Sequence, residues 1–153
     1  MADTVDLLAI CAHPDDAELT CGGTLAKAVA QGHRVGIVDL TRGEGGTRGD
    51  VDTRKREADA AAKILGVHVR RNARLRDSYL SNDEASRRTV VELLRALKPR
   101  VVILPFPVGR HPDHRMAAEL GRDACFLAGL AKYEAAGAPA RPSKILHALA
   151  YRE

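Results

Sequence analysis

Short, continuous apolar runs alternate along this chain with longer stretches whose apolar positions recur every three or four residues. The first run, residues 7–11, reads as a buried strand. Gly22 and Gly23 precede a helical stretch over 24–31, which Gly32 stops. Residues 35–40 form a second apolar run, followed by a Gly-rich loop over 41–50 (TRGEGGTRGD). A helix is predicted over 54–65, with Ala58, Ala61, Ala62 and Leu65 on one face and Gly66 closing it. A third strand starts over 67–69. Asn82 or Asp83 caps the next helix, which carries Val90, Leu94 and Leu97 and ends before Pro99. Residues 101–104 read as a fourth strand, 105–112 as a loop, and 113 to about 130 as a helix. A breaker-rich connection over 135–143 leads to a fifth strand over 145–150.

Strands separated by helices of this length pair in parallel through right-handed crossovers. The predicted fold is α/β: a Rossmann-like open parallel sheet with helices on both faces, a three-layer sandwich. In such sheets ligands bind beyond the carboxyl ends of the strands, at the point where strand order reverses. Reactive residues are therefore expected just after strands one and four.

The length of 153 residues suits a single domain over 1–153. With 3% aromatic residues and no Trp, the core must be built from Ala, Val, Leu and Ile. The net charge of +4 points to a small anionic partner rather than nucleic acid, because no aromatic residues interleave the basic ones for base stacking. No apolar run approaches the roughly 20 residues that span a bilayer, so no membrane partner is expected. The amino terminus lacks the pattern of a signal peptide. Cys11, Cys21 and Cys125 form no Cys-x-x-Cys pair; together these features imply free thiols in a reducing, cytoplasmic setting.

Two motifs fall where the fold predicts chemistry. Ala12-His13-Pro14-Asp15-Asp16-Ala17-Glu18 follows the first strand, and His111-Pro112-Asp113-His114 follows the fourth. Imidazole and carboxylate are ligands for a borderline cation such as Zn2+, although Fe2+ or another divalent ion suits the same set. A hydrolytic site needs three protein ligands and one open position. Adjacent carboxylates in a turn point apart, so Asp16 is assigned to the metal and Asp15 to a water as general base. His114 is assigned to the metal and His111 to a developing oxyanion, with Asp113 holding His111 charged. Either motif alone reads as a capped turn; both together at two adjacent strand ends read as a metal site. His33, His68 and His147 lie at strand edges and read as structural. The Gly-rich loop lacks the spacing of a phosphate cradle. It reads as a mobile loop carrying Arg42 and Arg48 beside the site, with Arg54 at the following helix start available to a substrate or a carboxylate.

The AHPDDAE and HPDH motifs resemble those of the LmbE-like, or PIG-L-like, deacetylases of N-acetylglucosaminyl conjugates. The stretches LAKAVAQGHRVGIVDLTRGEGGTRG, READAAAKILGV and DACFLAGL resemble the bacillithiol-pathway branch, which acts on N-acetylglucosaminyl-malate. The resemblance implies zinc on His13, Asp16 and His114, Asp15 as general base, His111 on the oxyanion with Asp113 tuning it, and Arg54 as a substrate contact. Arg42 and Arg110 are further candidates for the sugar conjugate. It also implies a homo-oligomer, and a family domain that continues past the fifth strand with β structure for which this chain has no counterpart. Val108 and Gly109 stand where that branch carries acidic residues, a departure beside the sugar pocket. Other conjugates (a mycothiol precursor, chitobiose, an antibiotic sugar), a metal-binding but inactive module and a nucleotide-binding Rossmann domain are the alternatives.

Overall fold

Leu7–Cys11 (β1) is apolar throughout because both faces of the strand are covered. The computed structural model describes residues 3–149. Among these, β1 is followed by α1 (Asp16–Ala30), β2 (Val35–Thr41), α2 (Val51–Leu65), β3 (Val69–Leu75), α3 (Glu84–Leu97), β4 (Val101–Pro105), α4 (Pro112–Ala128) and β5 (Lys144–Ala148). All five strands are parallel, in the order β3-β2-β1-β4-β5. Alternate residues of β1 face opposite layers. Leu8 and Ile10 pack with Val90 and Leu94 of α3 and Leu120 and Ala124 of α4. Ala9 and Cys11 pack with Leu25 and Ala28 of α1, against which Leu65 of α2 also rests. This is the three-layer arrangement expected, and strand order reverses at β1, flanked by β2 and β4.

Four boundaries differ from the sequence reading. Helix α1 starts at Asp16, eight residues before position 24, so Gly22 and Gly23 lie within it. A glycine inside a helix costs ~1 kcal/mol relative to alanine. Gly22 is buried, but an added Cβ would meet Leu65 of α2 at an ordinary 4.0 Å, so no neighbour accounts for glycine there or at Gly23. Helix α2 starts at Val51, because the Asp50 carboxylate accepts the Thr53 amide proton at 2.7 Å and caps it. Strand β3 begins at Val69 and runs to Leu75. Its arginines hide it from an apolar-run search. Strand β5 ends at Ala148, and the predicted end at residue 150 lies outside the described residues.

Helix α4 has no basic residue in its last turn. Its end is held from α3 instead: buried Arg95 donates to the carbonyls of Ala128 (3.2 Å), Leu130 (2.8 Å) and Ala135 (2.6 Å), which fixes the connection toward β5. Among the described residues no helix is long and apolar enough to cross a membrane.

Candidate active site

The chain leaves β1 through a turn that is held on both sides. Thr41, at the end of β2, donates its amide proton (3.0 Å) and its hydroxyl proton (2.9 Å) to the Ala12 carbonyl. Arg70 of β3 donates to the Pro14 carbonyl at 2.9 Å. The Arg70 guanidinium is buried against Asp39 (2.8 and 3.0 Å) and is also bonded to Glu18, the last residue of the first motif. Burial alone would lower its pKa, but the two carboxylates raise it and keep the side chain charged. Asp16 then opens α1, and its Oδ2 accepts the His13 amide proton at 2.9 Å.

The second motif is a helix entry. His111 is the N-cap of α4, Pro112 the first helical residue, and the Asp113 amide donates to His111 Nδ1 at 3.2 Å. That bond leaves the proton of a neutral His111 ring on Nε2. Parallel pairing of β1 with β4 brings this entry against the first motif. The His13 and His114 rings lie 5.3 Å apart, centre to centre, and His111 stacks on His114 at 4.7 Å.

The donor atoms of His13, Asp16 and His114 lie within 4.8 Å of one another. His13 Nδ1 is 3.4 Å from Asp16 Oδ2, and His114 Nε2 is 3.2 Å from Asp16 Oδ1. Ligands at ~2.0–2.1 Å from a tetrahedral zinc ion stand ~3.3 Å apart, so both His–Asp16 separations and the donor chemistry suit such an ion. Electrostatics agree with that fit. Burial would lower the His13 pKa, but the carboxylates of Asp16, Asp77 and Asp113 raise it to about 9. Burial would likewise raise Asp16, yet His114 and His13 hold it well below the usual carboxylate range. The group is an anionic nest, the electrostatic setting that suits a cation.

Asp15 is the N-cap of α1 but makes no side-chain capping bond, and its side chain is 60% exposed, which leaves the carboxylate free to meet a substrate. Arg54 lies 3.3 Å from it. The Arg54 guanidinium sits in a notch of the Gly-rich loop, where a Cβ added to Gly43 would come within 2.5 Å of it and one added to Gly46 within 2.7 Å. Arg110 lines the same 950 Å3 cavity as Asp16, His111 and His114, together with Phe106 and Val108. Arg42 does not; it lines a separate 240 Å3 cleft with Lys55, Arg71 and Arg74.

One predicted relation is corrected. Asp113 was expected to hold His111 in its charged form, but its carboxylate accepts the Ser78 amide proton at 2.7 Å and lies 3.4 Å from His13 Nε2. The His111 pKa is lowered, by burial first and then by His13 and His114, which outweigh Asp113. His111 therefore favours a neutral ring. Two residues escaped the sequence reading. Asp77, just beyond β3, lies 3.2 Å from His13 Nε2, and Arg70 clamps the first turn. Arg70 lies on, and Asp77 two residues past, the strand whose extent the arginines concealed. Cys11, Cys21 and Cys125 are all buried free thiols, and burial pushes each pKa up.

The family model of PIG-L, the GlcNAc-PI de-N-acetylases, matches residues 8–125, a span that contains both motifs. The chain belongs to the PIG-L family. Among PIG-L relatives, a diacetylchitobiose deacetylase of Thermococcus kodakarensis is 34% identical, over 86% of this chain and 53% of its own. A 1D-myo-inositol 2-acetamido-2-deoxy-alpha-D-glucopyranoside deacetylase of Catenulispora acidiphila is also 34% identical, over 82% of this chain and 52% of its own. The solved structure of the conserved protein TT1542 from Thermus thermophilus superposes with a TM-score of 0.90 at 44% identity, covering 93% of this chain and 64% of that one. The chain thus spans about half the length of these curated PIG-L relatives.

Proposed function

We propose that this chain hydrolyses the acetamide of an N-acetylglucosamine-type sugar, releasing acetate and a free amine. The observation that carries this reading is the convergence of the donor atoms of His13, Asp16 and His114 within 4.8 Å of one another, with His111 stacked on His114 and Asp15 preceding Asp16 in the chain. A divalent cation bound there, zinc by preference and Fe2+ as the alternative, would polarise the amide carbonyl and lower the pKa of a water in its open position.

The protein supplies the remainder. Asp15 accepts the proton of the attacking water, and Arg54 keeps its carboxylate in place. His111, with Nδ1 occupied by the Asp113 amide, offers its Nε2 proton to the oxyanion. The departing nitrogen takes up the proton that Asp15 received, which regenerates the carboxylate. The names of the relatives support a GlcNAc-type substrate. The finer reading is N-acetylglucosaminyl-malate. Its anionic aglycone suits the +4 chain and Arg110 in the cavity wall.

Acetate release by the zinc-loaded protein is the test, over a panel of N-acetylglucosaminyl-malate, diacetylchitobiose and N-acetylglucosaminyl-inositol. The malate conjugate is expected to turn over fastest, and chelation to stop the reaction. Asp15→Ala should retain the metal yet lose ~10²–10⁴-fold in rate. No acetate from any member of the panel, or a fully active Asp15→Ala variant, would overturn the mechanism.

A further inference from the structure

We propose that Asp77 is a positioning residue of the metal centre, and that through it the Gly-rich loop and the centre form one mechanical unit. The inference rests on reading His13 as a ligand. Asp77 is buried and has one carboxylate oxygen on each partner. Oδ1 lies 3.2 Å from His13 Nε2, and Oδ2 accepts the Gly45 amide proton at 2.7 Å. Its own amide donates to Glu44 Oε1 at 3.1 Å, so the loop grips Asp77 at two points. On the other side, Asp113 lies 3.4 Å from the same ring nitrogen and holds Ser78 by its amide. Two carboxylates facing Nε2 keep a proton on that nitrogen and turn Nδ1 toward Asp16, the orientation a ligating imidazole requires. Space enforces the coupling. A Cβ at Gly45 would stand 3.0 Å from Ser78 Oγ and 3.2 Å from Asp77 Oδ2, so a side chain there pushes on the carboxylate that orients His13. The loop, which contributes no ligand, thereby sets the geometry of one.

The test is zinc affinity, measured by competition with a chromophoric chelator, with melting temperature in excess chelator as the control for folding. Asp77→Ala is expected to bind zinc ~10–100-fold more weakly than the unaltered chain, and Asp77→Asn, which keeps an acceptor, to fall between them. Gly45→Ala should weaken zinc several-fold while its chelator-treated melting temperature stays near that of the unaltered chain. In ¹⁵N-histidine spectra of the zinc-loaded protein, the His13 Nε2 proton should broaden or shift in both Asp77 variants. If Asp77→Asn and Gly45→Ala bind zinc unchanged, Asp77 does not position the centre, whether or not Asp77→Ala folds. His13→Ala separates the two levels. Loss of zinc in that variant alone sinks only the role of Asp77, whereas unchanged zinc binding sinks the ligand reading beneath it.

Discussion

Two arginines grip the first motif from different sides, and their surroundings divide the labour. Arg70 has a side chain 6% exposed, two carboxylate partners and two backbone carbonyls, those of Ala58 and Pro14. Arg54 has a side chain 17% exposed and, among the described residues, a single ion pair, to the mostly exposed Asp15, in a notch made of glycine backbone. The first arrangement leaves no freedom and suits construction of the turn. The second permits small adjustments of the carboxylate proposed to act as the base. One cation builds the motif while the other serves its reactive end.

Removing each cation should separate these roles. Arg70→Ala leaves Asp39 and Glu18 without their partner, and loss of one member of a buried pair costs ~3–5 kcal/mol; chemical denaturation should show that loss, with metal affinity falling as the turn loosens. A pH series on chelator-treated protein gives the next effect, of order 3 kcal/mol. The folded pKa of His13, about 9, lies above its ordinary 6.5. Its stabilisation is therefore complete below about pH 6.5 and is lost as pH climbs through 9. Arg70 stays charged across this window and the buried Cys thiols add their own loss only near pH 9, so the fall between about pH 6.5 and 8 is the part that tracks the His13 cluster. Zinc reverses the trend, since it must displace that proton and binds more tightly as pH rises. Arg54→Ala should leave the melting temperature nearly unchanged but reduce turnover by up to ~10²-fold, because a base misplaced by ~1 Å loses about that much. The smallest effect belongs to Gly43→Ala. Its φ of +67° and the filled notch should cost ~1 kcal/mol of stability and reproduce part of the Arg54→Ala rate loss. If Arg54→Ala unfolds the protein while Arg70→Ala leaves it stable, the division of labour is the reverse of that described.

What could be read in advance was whatever local pattern encodes. The apolar run of β1 and the two rim motifs are contiguous signals, and the parallel α/β topology follows from their alternation with helices. The start of α1 was hidden because Gly22 and Gly23 look like breakers in a linear pattern, although both lie inside the helix. The extent of strand β3, whose start was expected over 67–69, was hidden because Arg70, Arg71 and Arg74 interrupt its apolar pattern, and the neighbouring Asp39 and Glu18 make a buried arginine there tolerable. With β3 cut short, Asp77 fell outside the rim where reactive residues were sought, although Leu75 places it on the same edge as the others. The partner of Asp113 was misjudged for a related reason. Closeness in sequence favoured His111, whereas the fold delivers the carboxylate to His13, 100 positions away.

That pairing of β1 with β4 also bears on thermodynamics. The proposed cation site is divided between two stretches of chain that meet only in the folded sheet, so the unfolded chain offers no comparable grip. By mass action, an ion at one hundred times its dissociation constant deepens the native well by ~2.7 kcal/mol. If the proposed site holds an ion, the heat required to melt the domain becomes a gauge of how much ion its surroundings provide, and scarcity of that ion would weaken the fold and silence the proposed chemistry together.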